Sequence, residues 1–136
     1  MKTVFTSGDF KEIEISGSKV EWLAFSDVLK SGDGQIDCDH VANPSPYSKS
    51  AAMIQVIRDV DGRDNKVSFQ IDKNDCLLVR GDSTQLQKLS LAAEGFGKNF
   101  EKNDHIHIEY QGESHFVAQD STPVVFMHLG TESSEN

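Results

Sequence analysis

Basic residues are missing from the last quarter of this sequence, because no Lys or Arg occurs between Asn103 and Asn136. The same segment holds six acidic residues, and over the whole chain 22 acidic residues outnumber 13 basic ones, giving a formal net charge of -9. Nucleic-acid binding needs a basic surface that neutralises phosphates, so this composition argues against it. An acidic surface instead attracts basic proteins and raises their association rate.

Cysteines and long apolar runs are also scarce. Only Cys38 and Cys76 occur, and they form no CxxC pair, so we expect buried, reduced thiols rather than a disulfide. The apolar runs are far shorter than the ~18 residues of a membrane span. The N-terminus has no apolar segment of secretory length, which predicts a cytoplasmic protein that does not contact membranes.

Motifs of common enzymes are absent as well. The sequence contains no G-x-S-x-G elbow around a serine and no glycine-rich phosphate loop of the Walker or Rossmann form. We therefore predict a binding protein rather than an enzyme, with no cofactor. The length of 136 residues fits a single domain, expected over residues 1–129, followed by a disordered acidic tail at 130–136.

The clearest local pattern is a strand, a glycine turn and an amphipathic helix between Asp75 and Phe96. Gly81 permits the turn, Asp82 or Ser83 can cap the helix, and the apolar positions recur at helical spacing. The same pattern occurs 64 positions earlier, between Glu12 and Leu29, where Gly17 and Ser18 take the turn and cap positions. The chain therefore contains a candidate strand-turn-helix repeat.

Short alternating segments account for the rest of the chain and predict an α+β fold. We expect a largely antiparallel sheet of about six to eight strands with two helices on one face. Residues 52–60 and 66–72 read as a hairpin joined by a turn at 61–65. Gly95, Gly97 and the polar run to Asp104 are expected to connect the second helix to the next strand, and the last residue of that helix is left open.

The segment from His105 to Glu109 alternates two histidines and a glutamate with isoleucines, so His105, His107 and Glu109 share one strand face. Imidazole and carboxylate are ligands for divalent transition metals. A metal-binding module or metal-dependent enzyme is therefore the alternative function, provided that His115 or His128 adds a further ligand. The other interpretation is an exposed polar strand face.

Two further features could contribute to binding. Asp37 and Asp39 project from the same face of a predicted strand, and Tyr47 lies in a proline-containing loop expected at the surface. Paired carboxylates can bind cations or basic groups, but an alternating strand with polar residues outward has the same pattern.

Taken in order, the motifs resemble the immunity protein 32 family of bacterial polymorphic-toxin and contact-dependent growth inhibition systems. The matching features are the two strand-Gly-[Ser/Asp]-x3-[Trp/Leu]-x2-[Phe/Leu] devices at Ile15 to Phe25 and Val79 to Leu89, the Ser45-Pro46-Tyr47 loop, the strand His105-x-His107-x-Glu109-Tyr110, and the apolar strand after Ser121-x-Pro123. The resemblance covers residues 13–129. The interval from Glu94 to Asp104 departs from the pattern, because it is rich in glycine and contains two lysines.

This resemblance implies a small cytoplasmic protein that binds and neutralises a cognate toxin domain, often a nuclease with a basic cleft. The acidic net charge suits such a partner. The resemblance does not fix the contact residues or the oligomeric state. From their expected exposure, the candidate contacts are Asp104, His105, His107, Glu109, Glu113 and His115, with Tyr47 as an aromatic anchor and Asp37 and Asp39 as a second acidic pair.

Overall fold

The computed structural model describes residues 1–7, 12–45, 47, 49–59, 66–112 and 117–131. Within these residues it contains two helices and nine strands. They are β1 Thr3–Thr6, β2 Ile13–Gly17, α1 Lys19–Ser31, β3 Asp33–Asp37, β4 Lys49–Ser50, β5 Met53–Arg58, β6 Ser68–Ile71, β7 Cys76–Gly81, α2 Ser83–Asn99, β8 His105–Ile108 and β9 Val124–His128.

Both helices begin where the sequence predicts. Ser18 caps α1 in a full capping box, because its hydroxyl accepts from the Glu21 N–H while the Glu21 carboxylate accepts from the Ser18 N–H. Asp82 caps α2 by accepting a 2.8 Å bond from the Gln85 N–H. Gly32 ends α1 in the left-handed conformation, with φ of 79°, which glycine adopts without steric cost.

The predicted connection at Gly95 and Gly97 is wrong, because α2 continues through both glycines to Asn99. The reason is tertiary packing. Phe96 is buried in the core, and Gly97 lies against α1, where a Cβ at this position would be 3.0 Å from the Cβ of Trp22. The contact with α1 therefore outweighs the low helix propensity of two glycines.

The α+β class is confirmed, but the single sheet with helices on one face is wrong. The strands form a five-stranded sheet in the order β4-β1-β2-β9-β8 and a four-stranded sheet in the order β3-β5-β7-β6. Both sheets are mixed, since β2 pairs with β9 in parallel and β5 pairs with β7 in parallel. The predicted hairpin between β5 and β6 is also wrong, because β7 lies between them; its turn at 61–65 is outside the described residues.

The two repeats are interlaced between the sheets. The first enters α1 from β2 of the five-stranded sheet and leaves it into β3 of the four-stranded sheet. The second runs the other way, from β7 of the four-stranded sheet through α2 into β8 of the five-stranded sheet. Each sheet therefore contains strands from both repeats.

The helices meet at two serines that occupy equivalent positions in the repeats. Ser26 Oγ lies 2.9 Å from Ser90 Oγ, and each hydroxyl also lies 2.9 Å from the backbone carbonyl of the other serine. Both residues are almost fully buried, and their separation of 64 positions equals the offset of the repeats. This reciprocal contact relates the two halves by an approximate two-fold symmetry.

One hydrophobic core joins the inner faces of both sheets and the inner sides of both helices. Its centre is aromatic: the Trp22 ring lies 4.4 Å from the Phe126 ring and 5.1 Å from the Phe96 ring, measured between centroids. The indole N–H donates to the Met127 carbonyl at 3.2 Å, so this buried donor is satisfied. Among the described residues, neither helix has the length and apolar character needed to cross a bilayer.

The close approach at Gly97 gives a paired stability prediction. Gly97→Ala places a methyl group against Trp22 and the Lys19 carbonyl, so we expect the free energy of unfolding to fall by about 1–3 kcal/mol through overpacking. Gly95→Ala is the control, because its Cβ would meet only the Asn99 amide at 4.0 Å, and it should gain about 0.5–1 kcal/mol from helix propensity. Urea denaturation followed by circular dichroism measures both. Equal effects of the two substitutions would contradict the helix contact.

Candidate functional site

The outer face of the five-stranded sheet, which points away from the shared core, brings several candidate residues together. Strand alternation places the core residues on the inner face and a second set outward. On β1, β2, β8 and β9 the outward side chains are Thr3, Phe5, Glu14, Ser16, His105, His107, Val125 and Met127. None of these eight residues is Lys or Arg, and the pairing aligns Phe5, Glu14, Val125 and His107 in one row across four strands.

An aromatic pair occupies one end of this row. Tyr47 stacks on Phe5 with ring centroids 4.6 Å apart and planes inclined by 9°. The Tyr47 hydroxyl donates a 3.0 Å hydrogen bond to Glu14 Oε1, which fixes the ring over the sheet. Burial, followed by the hydrogen bond to Glu14 and the negative charges of Glu14 and Glu12, raises the pKa of the Tyr47 hydroxyl. Tyr47, the predicted aromatic anchor, is therefore a neutral phenol that lies close to carboxylates.

The histidines occupy the other end, on the edge strand β8. His105 and His107 are exposed, and their rings meet edge to face with centroids 5.6 Å apart. His107 Nδ1 lies 4.0 Å from Glu109 Oε1, beyond hydrogen-bond distance. The predicted alternation is confirmed within β8, since Ile106 and Ile108 face the core; Glu109 lies beyond the end of the strand. Three strand spacings separate the His107 and Phe5 positions, about 14 Å.

This arrangement gives little support to the alternative function, a metal-binding site at His105, His107 and Glu109. Within the described part of the chain, no three His, Cys, Asp or Glu side chains converge in a way that could hold a metal ion. His128 cannot supply the further ligand, because it lies on the inner face and is fully buried. Its Nδ1 accepts from the Gly130 N–H at 3.0 Å, so its Nε2 carries the proton toward the Gly97 carbonyl at 3.2 Å. His115 lies outside the described residues.

The remaining candidates are distributed around this surface or away from it. Asp104 immediately precedes β8, is exposed, and accepts a 2.7 Å bond from the Glu101 N–H. Asp37 belongs to β3 of the other sheet, and Asp39 forms a 3.0 Å ion pair with Lys2. The two aspartates do not join the histidine edge, and the charge of Asp39 is compensated. Glu113 lies outside the described residues.

Sequence reasoning missed Phe5, Glu14, Val125 and Met127, which also belong to this face. A signal was present in the apolar run from Val124 to Met127, since consecutive apolar residues in a strand must face both sides of the sheet. The stacking of Phe5 on Tyr47 had no local signal, because it joins distant parts of the sequence.

The cysteines are free, as expected, although only Cys76 is buried and Cys38 is partly exposed. Burial, reinforced by neighbouring carboxylates, raises the pKa of Cys38 to about 11 despite the opposing charge of the N-terminus. The thiolate is therefore scarce at neutral pH, which argues against nucleophilic chemistry at this position.

Comparison with protein-family models, curated proteins and solved structures finds no match to this chain. The resemblance to the immunity proteins therefore stays a prediction from the sequence.

The environment of Tyr47 can be tested by titration. In a Tyr110→Phe background Tyr47 is the only tyrosine, and its ultraviolet absorbance change should occur above the ordinary tyrosine range. Glu14→Gln removes the charge, so the midpoint should fall but remain raised, because burial is the largest cause. Since the neutral phenol is favoured in the folded state, its contribution to stability is complete below the ordinary tyrosine pKa and is lost as pH rises through the folded-state pKa. An unchanged midpoint in Glu14→Gln would contradict the contact.

Proposed function

We propose that this protein is an immunity protein that binds and neutralises a cognate bacterial toxin domain, a basic domain such as a nuclease. It acts by steric and electrostatic occlusion and catalyses no reaction. The observation that carries this proposal is the Phe5 and Tyr47 stack, held by Glu14 on the outer face of the five-stranded sheet.

The aromatic pair has the chemistry of an interface anchor. Tyrosine is enriched among residues that dominate binding energy, because its large rigid ring buries area with little loss of conformational entropy. Tyr47 is already ordered by its stack on Phe5 and its hydrogen bond, so a partner would not bear the cost of fixing it. Met127, which is half-buried, extends the apolar area toward the histidine edge, whereas Val125 is already covered by its neighbours.

Charge supplies the complementarity to a basic partner. Glu14 and Glu12 flank Tyr47, and Glu109 and Asp104 flank the opposite edge, so carboxylates stand at both ends of the surface. The outer face of the four-stranded sheet carries Arg80 together with the exposed carboxylates of Asp33 and Asp37. What favours the five-stranded sheet is the combination of carboxylates with the aromatic pair and the absence of Lys and Arg among the outward residues of β1, β2, β8 and β9.

The contribution of the aromatic pair to the affinity for a toxin domain can be tested by substitution. With a toxin domain encoded by a neighbouring gene, Tyr47→Ala and Phe5→Ala should each weaken binding at least tenfold, about 1.4 kcal/mol, because each removes half of the stack. Isothermal titration calorimetry measures this, and Gln55→Ala on the exposed face of the other sheet is the matched control. Tight binding that survives both aromatic substitutions would move the interface elsewhere on the protein, whereas the absence of a complex would overturn the function.

The contribution of the carboxylates to the rate of association with a toxin domain can also be tested by substitution. Glu14→Gln and Glu109→Gln should slow association and reduce its salt dependence, because solvent-accessible charges at the edge of an interface act mainly through long-range attraction. Asp37→Asn is the comparison, since Asp37 lies on the other sheet. Stopped-flow binding at low and high salt separates the variants. A larger effect of Asp37→Asn would favour the second acidic pair as the contact site.

A further inference from the structure

Strand β8 is an edge of the five-stranded sheet and pairs only with β9. The His128 N–H donates to the Asp104 carbonyl at 2.9 Å, and this bond sets the alternation of the antiparallel ladder. The backbone N–H and C=O of Ile106 therefore point toward β9, whereas those of His105 and His107 point away from the sheet. Within the described residues, no group bonds to these two donors and two acceptors.

The other edges of the two sheets are protected. Residues 117–122 run along β6, where the Ser121 hydroxyl accepts from the Phe69 N–H. On the β3 edge the Asp33 carbonyl accepts from Ser31 Oγ, and exposed carboxylates line the strand. The strand β4 has only two residues. Cover by another segment, charged side chains and very short strands are common ways to block an edge, and β8, which alternates histidine and isoleucine, shows none of them.

The side chain of Ile106 gives this edge an apolar inner side. It packs against the core but is only partly buried, and β9 covers only one of its flanks. A strand added to the edge would align a side chain with Ile106 and cover it. The outward backbone groups and Ile106 therefore match the same kind of ligand, an extended peptide segment.

Charge distinguishes two sources of such a segment. A second copy of this chain carries the same net charge of -9, so two copies repel each other. A basic segment is attracted instead, because the carboxylates of Asp104 and Glu109 lie directly before and after β8. Lys102 is the nearest basic residue in the sequence, and Glu101 beside it offsets its charge.

We propose that the open edge of β8 pairs with an extended, basic segment of the toxin domain, which becomes a sixth strand of the five-stranded sheet. This inference rests on the proposed function and names the part of the toxin that is recognised through its backbone. The added strand lies at the His107 end of the row that begins at Phe5, so one partner can occupy the edge and the outer face together.

Amide hydrogen exchange, followed by two-dimensional ¹H–¹⁵N NMR, tests this pairing in the unmodified protein, free and bound to the toxin domain encoded by a neighbouring gene. In the free protein the His105 and His107 N–H groups should exchange faster than that of Ile106, which is bonded to β9. In the complex their exchange should slow roughly a hundredfold or more. Unchanged exchange in a complex that neutralises the toxin would overturn this inference alone, whereas the absence of a complex would overturn the proposed function as well.

His107→Pro removes one outward N–H without breaking a bond to β9. Its affinity for the toxin domain, measured by isothermal titration calorimetry, should fall roughly tenfold or more, because a carbonyl of the added strand is left unpaired. His107→Ala keeps the N–H, so its affinity should stay within about threefold of the unmodified protein. Gln35→Pro is the matched control, since it removes an outward N–H from β3, an edge of the other sheet, and should leave the affinity unchanged.

Equal affinities of folded His107→Pro and Gln35→Pro would overturn the inference. If His107→Pro fails to fold, as judged by circular dichroism, the exchange measurement on the unmodified protein decides. Slow exchange of the His105 and His107 amides in the free protein, together with a dimer in analytical ultracentrifugation, would assign the edge to a second copy and would also overturn the inference.

Discussion

The packing of α1 against α2 is the contact on which the rest of the structure depends. Each helix carries the chain from one sheet to the other, so the position of one helix on the other determines where both sheets lie. Two features fix that position: the reciprocal Ser26 and Ser90 hydrogen bonds, and the space left by the missing side chain of Gly97, into which Trp22 fits. Polar groups inside the contact specify its register, because a shifted arrangement would leave both hydroxyls buried without partners.

The approximate symmetry of the fold does not extend to its surfaces. The two sheets share a plan, but the five-stranded sheet carries two outward histidines and the Phe5 and Tyr47 pair, and the eight outward residues of β1, β2, β8 and β9 include no Lys or Arg. The equivalent helix positions also differ, with Trp22 and Phe25 in the first repeat and Leu86 and Leu89 in the second. The aromatic core therefore lies toward the five-stranded sheet, where Phe126 contacts Trp22 and supports the strands beneath the proposed binding face.

Local features of the fold could be read from the sequence, and long-range ones could not. The helix starts at Ser18 and Asp82 follow from side chains that bond to nearby N–H groups, so a short window contains the whole interaction. The alternation of β5 is the same whether it pairs with β6 or β7, so the sequence pattern cannot choose between them. The end of α2 depended on Trp22, which lies in another element.

In the candidate site, too, the local features could be predicted from the sequence and the long-range contacts could not. His105 and His107 were predicted to share a face because alternation in a strand is local. Tyr47 was predicted at the surface, but the loop sequence does not show which residues it contacts. Its partners Phe5 and Glu14 lie on β1 and β2, which are distant in the sequence. Asp39 was predicted as an outward acid, yet its charge is compensated by Lys2, which only the folded chain brings near.

The interlaced order of the strands affects how the chain can fold during synthesis. The first strands of the five-stranded sheet are made early, but β2 pairs in parallel with β9, which is made last. The N-terminal half therefore leaves the ribosome with one edge of β2 unpaired and the inner side of β1 and β2 uncovered by its final neighbours. Such long-range pairing favours slow, late folding. The sheet beneath Phe5 and Tyr47 therefore gains its β9 neighbour only after β9 itself has been synthesised.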